Sequence, residues 1–317
     1  MMNFDEFVKN VRDDVLRFIP NAEELSVSVS KVHKNNGLCL TGLTIKSTES
    51  NVAPTIYLEN FYEEYCQEDD YEDILRGIAH TYDNHTKGVI PDFSLESLDD
   101  STIFGELVRT EGNEYLLRDI PSVLVFDGRF SVIFRYAVDV SDVKGSVLIT
   151  DSIAEIKGFT AQMLYEIALK NDSKQNTPVL QTLYECLGSI ISMDLPEPDT
   201  NAKLYVLTNE TKLFGAFSIL AEKTRKLLMD TFSGDLIVIP SSIHELILIP
   251  KENTVMNFLD EINTMIQEVN RTQVAPDEIL GDEYFILKRT AKGYEFMADN
   301  KEPSYPDVSS SLVPAYA

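Results

Sequence analysis

From Phe4 to Ile19 the apolar residues Phe4, Phe7, Val8, Val11, Val15, Leu16 and Ile19 recur at helical spacing. Asn3 with Glu6 three residues later forms a capping signature, and Pro20 ends the helix. The period then changes to two. Leu25, Val27 and Val29 alternate with serines, and Leu38, Leu40, Leu43 and Ile45 follow Asn35-Asn36-Gly37. An Asn-Gly pair accepts the positive φ angles of a tight turn, so the pattern predicts a hairpin. Pro54 to Leu58 reads as a short strand or a helix entry. Phe61, Tyr62 and Tyr65 return to helical spacing, and a further helix over Tyr71–Tyr82 presents Ile74, Leu75 and Ile78.

A polar connector over 87–101 precedes a strand-rich block. Thr102–Arg109, Val123–Phe126, Phe130–Phe134 and Val147–Ile149 read as strands, with Asp127-Gly128 as a second turn signal. Thr160 caps a helix that runs to Lys170. A second linker covers roughly 171–201, with one apolar helical piece, Val179–Ile191. The last block reads strand Leu204–Leu207, helix Phe217–Phe232, strands Leu236–Ile239 and Ile243–Ile249, helix Val255–Val269, and strands Glu283–Leu287 and Tyr294–Met297. Hairpins mixed with helical connections predict an α+β fold, with mixed or antiparallel sheets and helices packed on them. The regions expected are an N-terminal α+β region (1–90), a strand-rich middle (101–170), a C-terminal α+β region (200–297) and a frayed tail (298–317).

Charge narrows the function classes. The 317 residues carry 52 acidic and 27 basic side chains, a formal net charge of −25. Binding to nucleic acid needs clustered Lys and Arg, and anionic membrane surfaces repel such a chain, so neither is expected as a partner. A basic protein surface is the favoured partner. Cys39, Cys66 and Cys186 are widely spaced and form no CxxC pair. The N-terminus lacks a basic region and a long apolar core, and no apolar run approaches roughly 18 residues. The expectation is a reduced, soluble, cytoplasmic protein without cofactor or metal.

Four segments appear in fixed order: Leu204–Asn209, Gly215-Ala216-Phe217, Ile239-Pro240-Ser241-Ser242-Ile243-His244-Glu245 and Val269–Val274. With Pro54–Leu58 and Phe61-Tyr62 upstream, they resemble a bacterial family known only as a domain of unknown function. The resemblance spans about residue 3 to residue 290. It implies one compact bacterial protein and no particular activity, cofactor or catalytic residue.

On a strand Ser242 and His244 share a face about 6.5–7 Å apart, too far for a nucleophile and its base. Their plain reading is a turn whose hydroxyls satisfy backbone groups. The functional alternative is a shallow pocket lined by Ser242, His244 and Asn209. His80 and His85, five apart, sit about 140° apart around a helix, poor for chelation. The carboxylates Glu63, Glu64, Asp69 and Asp70 interleave with aromatics and read as a solvated face, or as a docking face for a basic partner. Asn209–Lys212 with Gly215 is a weak phosphate-loop signal, and no nucleotide is expected.

The favoured function is therefore a non-enzymatic binding protein for a macromolecular, basic partner. The alternative is a small-ligand protein or enzyme with its site around Ser242, His244 and Asn209. A special case of the first is an acidic inhibitor from a mobile element that imitates nucleic acid.

Overall fold

The structure is a computed structural model that describes residues 1–48, 53–68, 70–86, 98–140, 143–186, 204–253 and 256–297. It is an α+β fold in which every strand pairing among the described residues is antiparallel.

The N-terminal part is helix α1 (Phe4–Asp14), hairpin β1 (Leu25–His33) and β2 (Cys39–Ser47), strand β3 (Thr55–Tyr57), and helices α2 (Glu59–Glu68) and α3 (Tyr71–Thr86). The capping signature is real: Asn3 Oδ1 accepts from Glu6 N, and Glu6 Oε2 accepts from Asn3 N. At the hairpin tip Asn36 and Gly37 take φ of 61° and 68°, as the Asn-Gly pair predicts. Phe7, Leu43, Leu75 and Ile78 are fully or almost fully buried in one core. Each such side chain contributes roughly 1.5–3 kcal/mol.

Strands β4 (Ile103–Arg109), β5 (Val123–Val125), β6 (Phe130–Val140) and β7 (Val143–Leu148) form a second sheet with β6 paired to the other three. Phe130, Val132, Phe134 and Tyr136 alternate along β6 into the core. Asp127-Gly128 does make the turn, and it draws Phe126 into positive φ (51°) as well. A bulky residue there is strained, and packing of its ring against Phe130, Phe285 and Phe296 offsets that strain. Helices α4 (Asp151–Lys157) and α5 (Ala161–Gln175) follow, capped by Thr150 and Thr160.

The third sheet runs β13-β12-β10-β11-β9-β8. Its strands are β8 (Pro178–Thr182), β9 (Tyr205–Asn209), β10 (Leu236–Ser242), β11 (Glu245–Pro250), β12 (Phe285–Thr290) and β13 (Gly293–Met297), with helices α6 (Glu222–Thr231) and α7 (Met256–Gln273). Both faces of its centre are buried. Leu236, Val238, Leu246 and Leu248 enter the core shared with the second sheet, while Ile237 and Ile249 meet Ile262 and Ile266 of α7. One core thus spans the middle and C-terminal regions that the sequence separates with a linker.

Two elements differ from expectation. The helix expected over Phe217–Phe232 begins instead as a 3-10 turn, Gly215–Leu220, and restarts at Glu222. Gly215 to Ile219 are all buried, so this stretch has no solvent face to make it amphipathic. The piece expected as helix from Val179 starts as β8, because Pro178–Thr182 pairs with β9. Pro178 is tolerated at the first position of an outer strand. The expected tail, 298–317, lies outside the described residues.

Candidate functional site

The site begins at the end of β9. Asn209 Nδ2 donates to Leu213 O at 2.9 Å, and its Oδ1 accepts from Thr211 Oγ1 at 2.9 Å. This side chain folds the 209–214 loop back on itself, as Asn does in turns. Phe214 then sits at positive φ (53°). Its N–H donates to Nδ1 of His244 at 3.0 Å.

His244 comes from the turn joining β10 and β11. Its own N–H donates to Ser242 Oγ at 3.1 Å, and its carbonyl accepts from Thr208 Oγ1 at 2.8 Å. Its Nε2 faces Glu278 Oε1 at 3.4 Å. The two loops press together at Gly215, where a Cβ would lie 2.5 Å from the His244 carbonyl. Only glycine fits so close an approach.

The opposite wall is the end of α5. Asn171 Nδ2 donates to the carbonyls of Asp100 and Ile103, both at 2.9 Å, which ties α5 to the start of β4. Asp172 Oδ1 accepts from Asn176 Nδ2 at 3.1 Å and from Ser218 Oγ at 3.2 Å. Its Oδ2 has no hydrogen-bond partner among the described residues and is not sealed in the protein.

Between these walls lies a cavity of about 390 Å³. It is bounded by the start of β4, the β6–β7 hairpin, the end of α5 and the 209–217 loop. Phe104, Phe214 and Phe217 supply its aromatic surface, with Phe104 and Phe214 at 5.2 Å between centroids. Asn171, Asp172, Asn176, Asn209 and Thr211 supply the polar groups. Behind Phe214, the Arg135 guanidinium lies 5.6 Å from its ring centroid and pairs with buried Glu106. Burial pushes the Asp172 carboxyl above its ordinary pKa; hydrogen bonds from Asn176 and Ser218 and the charge of Lys223 partly counter this. A partly open, mostly apolar pocket with a few convergent polar groups and a perturbed acid has the features of a ligand site.

A family model described as a family of unknown function, DUF5688, matches residues 4–289. The chain belongs to DUF5688. No curated protein matches it, and no solved structure does either.

In this DUF5688 protein the three residues singled out around Pro-Ser-Ser-Ile-His-Glu separate into two roles. Asn209 lines the cavity, whereas Ser242 and His244 do not. Ser242 is spent on the turn and His244 on holding Phe214. Glu63, Glu64 and Asp70 are exposed on or beside α2 and α3, with Tyr65 buried beneath, and Asp69 lies outside the described residues. His80 and His85 are exposed on α3. Among the described residues no cluster of His, Cys, Asp and Glu has the makings of a metal site.

Asp172, which residue order assigns to the second linker, lies on α5 in the structure. The signal was the i, i+4 series Leu164, Ala168, Asp172: the first two are fully buried in α5 and Asp172 continues their face.

This DUF5688 chain also has a larger cleft, about 620 Å³, beside the 126–128 turn. Its two arginines are already committed. Arg109 pairs with Asp282 at 2.7 Å, and Arg129 donates to the carbonyls of Glu283 and Tyr284. The carboxylates of this cleft belong to exposed or half-buried residues, Glu111, Asp127, Asp282 and Glu283, whereas Asp172 of the smaller cavity is nearly buried, so the smaller cavity is the better site.

Proposed function

We propose that this protein binds a small organic ligand in the cavity walled by α5, β4 and the 209–217 loop. The observation that carries the reading is Asp172 itself. It is a nearly buried carboxylate that lines the cavity together with three aromatic rings; Ser218 and Asn176 orient it through one oxygen, and the other has no partner among the described residues. A charged donor on a ligand would add a hydrogen bond of about 1.5–3 kcal/mol there. Ser218 is buried and does not line the cavity, so its contact orients the carboxylate and presents no nucleophile to a ligand, and binding rather than catalysis is the proposed role. The test is a blocked cavity. Ala137, exposed at the rim, changed to Trp should abolish the binding of small organic fragments seen by ligand-observed NMR. Fragment binding that survives this change would place the ligand elsewhere.

A second reading keeps the macromolecular partner. The exposed carboxylates Glu63, Glu64 and Asp70, over an inward aromatic row, support docking of a basic protein surface. Changing the three to Gln, Gln and Asn keeps the acceptor with which Asp70 caps Asp73 N, and should weaken capture of a basic partner at low salt with little change in the stability of the fold. We also propose a bacterial cytoplasmic setting. The bacterial setting follows the family resemblance read from the sequence, and the cytoplasmic one is supported by Cys39, Cys66 and Cys186, none of which is in a disulfide.

A further inference from the structure

We infer that the ligand of this cavity is a small organic cation, an amine carried on a compact apolar body, with its ammonium on Asp172 Oδ2. This deepens the proposed function and rests on it. Among the described residues that line the cavity, Asp172 is the one ionisable side chain. Neutral partners use its Oδ1, from Asn176 and Ser218, and those two bonds aim the carboxylate. Oδ2 has no such partner, in a residue that is 4% exposed. An ammonium supplies what this oxygen lacks, a charged donor in a region of reduced dielectric, where such a bond is about twice as strong as a neutral one.

The rest of the lining suits the remainder of an amine. Phe104, Phe214, Phe217 and Leu213 offer apolar surface, and aromatic faces attract cations. Asn209 and Thr211 satisfy each other and the backbone of their loop, so they ask little of the ligand. A volume of about 390 Å³ holds on the order of a dozen non-hydrogen atoms at roughly 30 Å³ each. Two cations lie near the site. Lys223 offsets part of the Asp172 charge from α6 without forming an ion pair among the described residues, and Arg135 beside Phe214 is matched by Glu106, so neither occupies the carboxylate. A carboxylate ligand would meet Asp172 with like charge, and a neutral alcohol would bring it no charged donor.

The test uses the full chain and matched probes. Phenethylamine, cyclohexylamine and butylamine are each compared with the corresponding alcohol and carboxylate by ligand-observed NMR and calorimetric titration. The wild type is set beside Asp172→Asn and Ala137→Trp. The expected result is that amines bind at least tenfold tighter than their alcohols and that carboxylates do not bind. Asp172→Asn should remove the amine preference, and Ala137→Trp should remove all binding. Alcohols or carboxylates that bind as well as amines, or an amine preference that survives Asp172→Asn, overturn the cation inference and leave the cavity as a ligand site. If no probe of any class binds in a manner sensitive to Ala137→Trp, the ligand-binding reading fails and the inference with it.

Discussion

The N–H of Phe214 donates to Nδ1 of His244, 3.0 Å away. An Nδ1 that accepts carries no proton, so the ring proton sits on Nε2, toward Glu278 Oε1. The histidine of the Pro-Ser-Ser-Ile-His-Glu string is therefore a bracket. It holds an aromatic wall residue in a left-handed conformation that phenylalanine does not favour.

This bracket role separates two substitutions at one position. His244→Ala leaves the Phe214 N–H without its acceptor and should cost about 1–2 kcal/mol. His244→Asn places Oδ1 near the former Nδ1 and should recover most of the loss. Urea denaturation of both variants measures the difference. Equal losses would mean that the ring acts through packing and not through its acceptor.

Asp172 gives a prediction in pH. An acid whose folded pKa exceeds its unfolded value holds its proton more tightly when folded. Its stabilising effect is complete below the unfolded value and is lost as pH rises through the folded one. Asn does not titrate and can accept the same two hydrogen bonds. Asp172→Asn should therefore be more stable than the wild type at neutral pH, with the advantage shrinking toward about pH 4. Denaturation midpoints at several pH values report it, and an advantage independent of pH would contradict it. The same substitution should remove the preference for amines, so stability and function trade against each other here.

Gly215 and Gly145 predict opposite outcomes for one chemical change. A Cβ on Gly215 would lie 2.3 Å from Thr208 Oγ1 and 2.5 Å from the His244 carbonyl, whereas one on Gly145 meets nothing within 4 Å. Gly215→Ala should cost about 1–3 kcal/mol by overpacking, and Gly145→Ala should stay within about 0.5 kcal/mol of the wild type. Thermal unfolding compares them directly.

The hairpin tip is a latch. Asn36 N donates to Asn113 Oδ1 at 2.8 Å, and Asn36 Nδ2 donates to the carbonyls of Pro276 and Ile279. Asn35 adds a bond to the Asp277 carbonyl at 2.9 Å. Asn36→Gly keeps the positive φ and loses the side-chain bonds, so it should speed amide exchange over 277–279 with little change in the hairpin. Asn36→Ala should also speed exchange in the hairpin, since alanine resists that φ. Unchanged exchange in 277–279 would deny the latch.

Local features were legible in residue order because their causes are local. The capping pair Asn3 and Glu6, the Asn36-Gly37 and Asp127-Gly128 turns and the alternation along β6 each depend on residues a few positions apart. So do the helical faces of α1 and α3, and so does the α+β class that follows from mixing them. The net charge and the family resemblance are likewise properties of the chain as a string. The cavity is of another kind. It joins Phe104, the β6–β7 hairpin, Asp172 and Asn209, four segments that meet because two sheets share one core. Read in order, Asn171-Asp172 looks like a linker and Asn209 like a loop starter, since short polar side chains favour turns wherever they stand. Tertiary packing alone decides which of them loses its water and faces the cavity, because desolvation is set by neighbours distant in sequence.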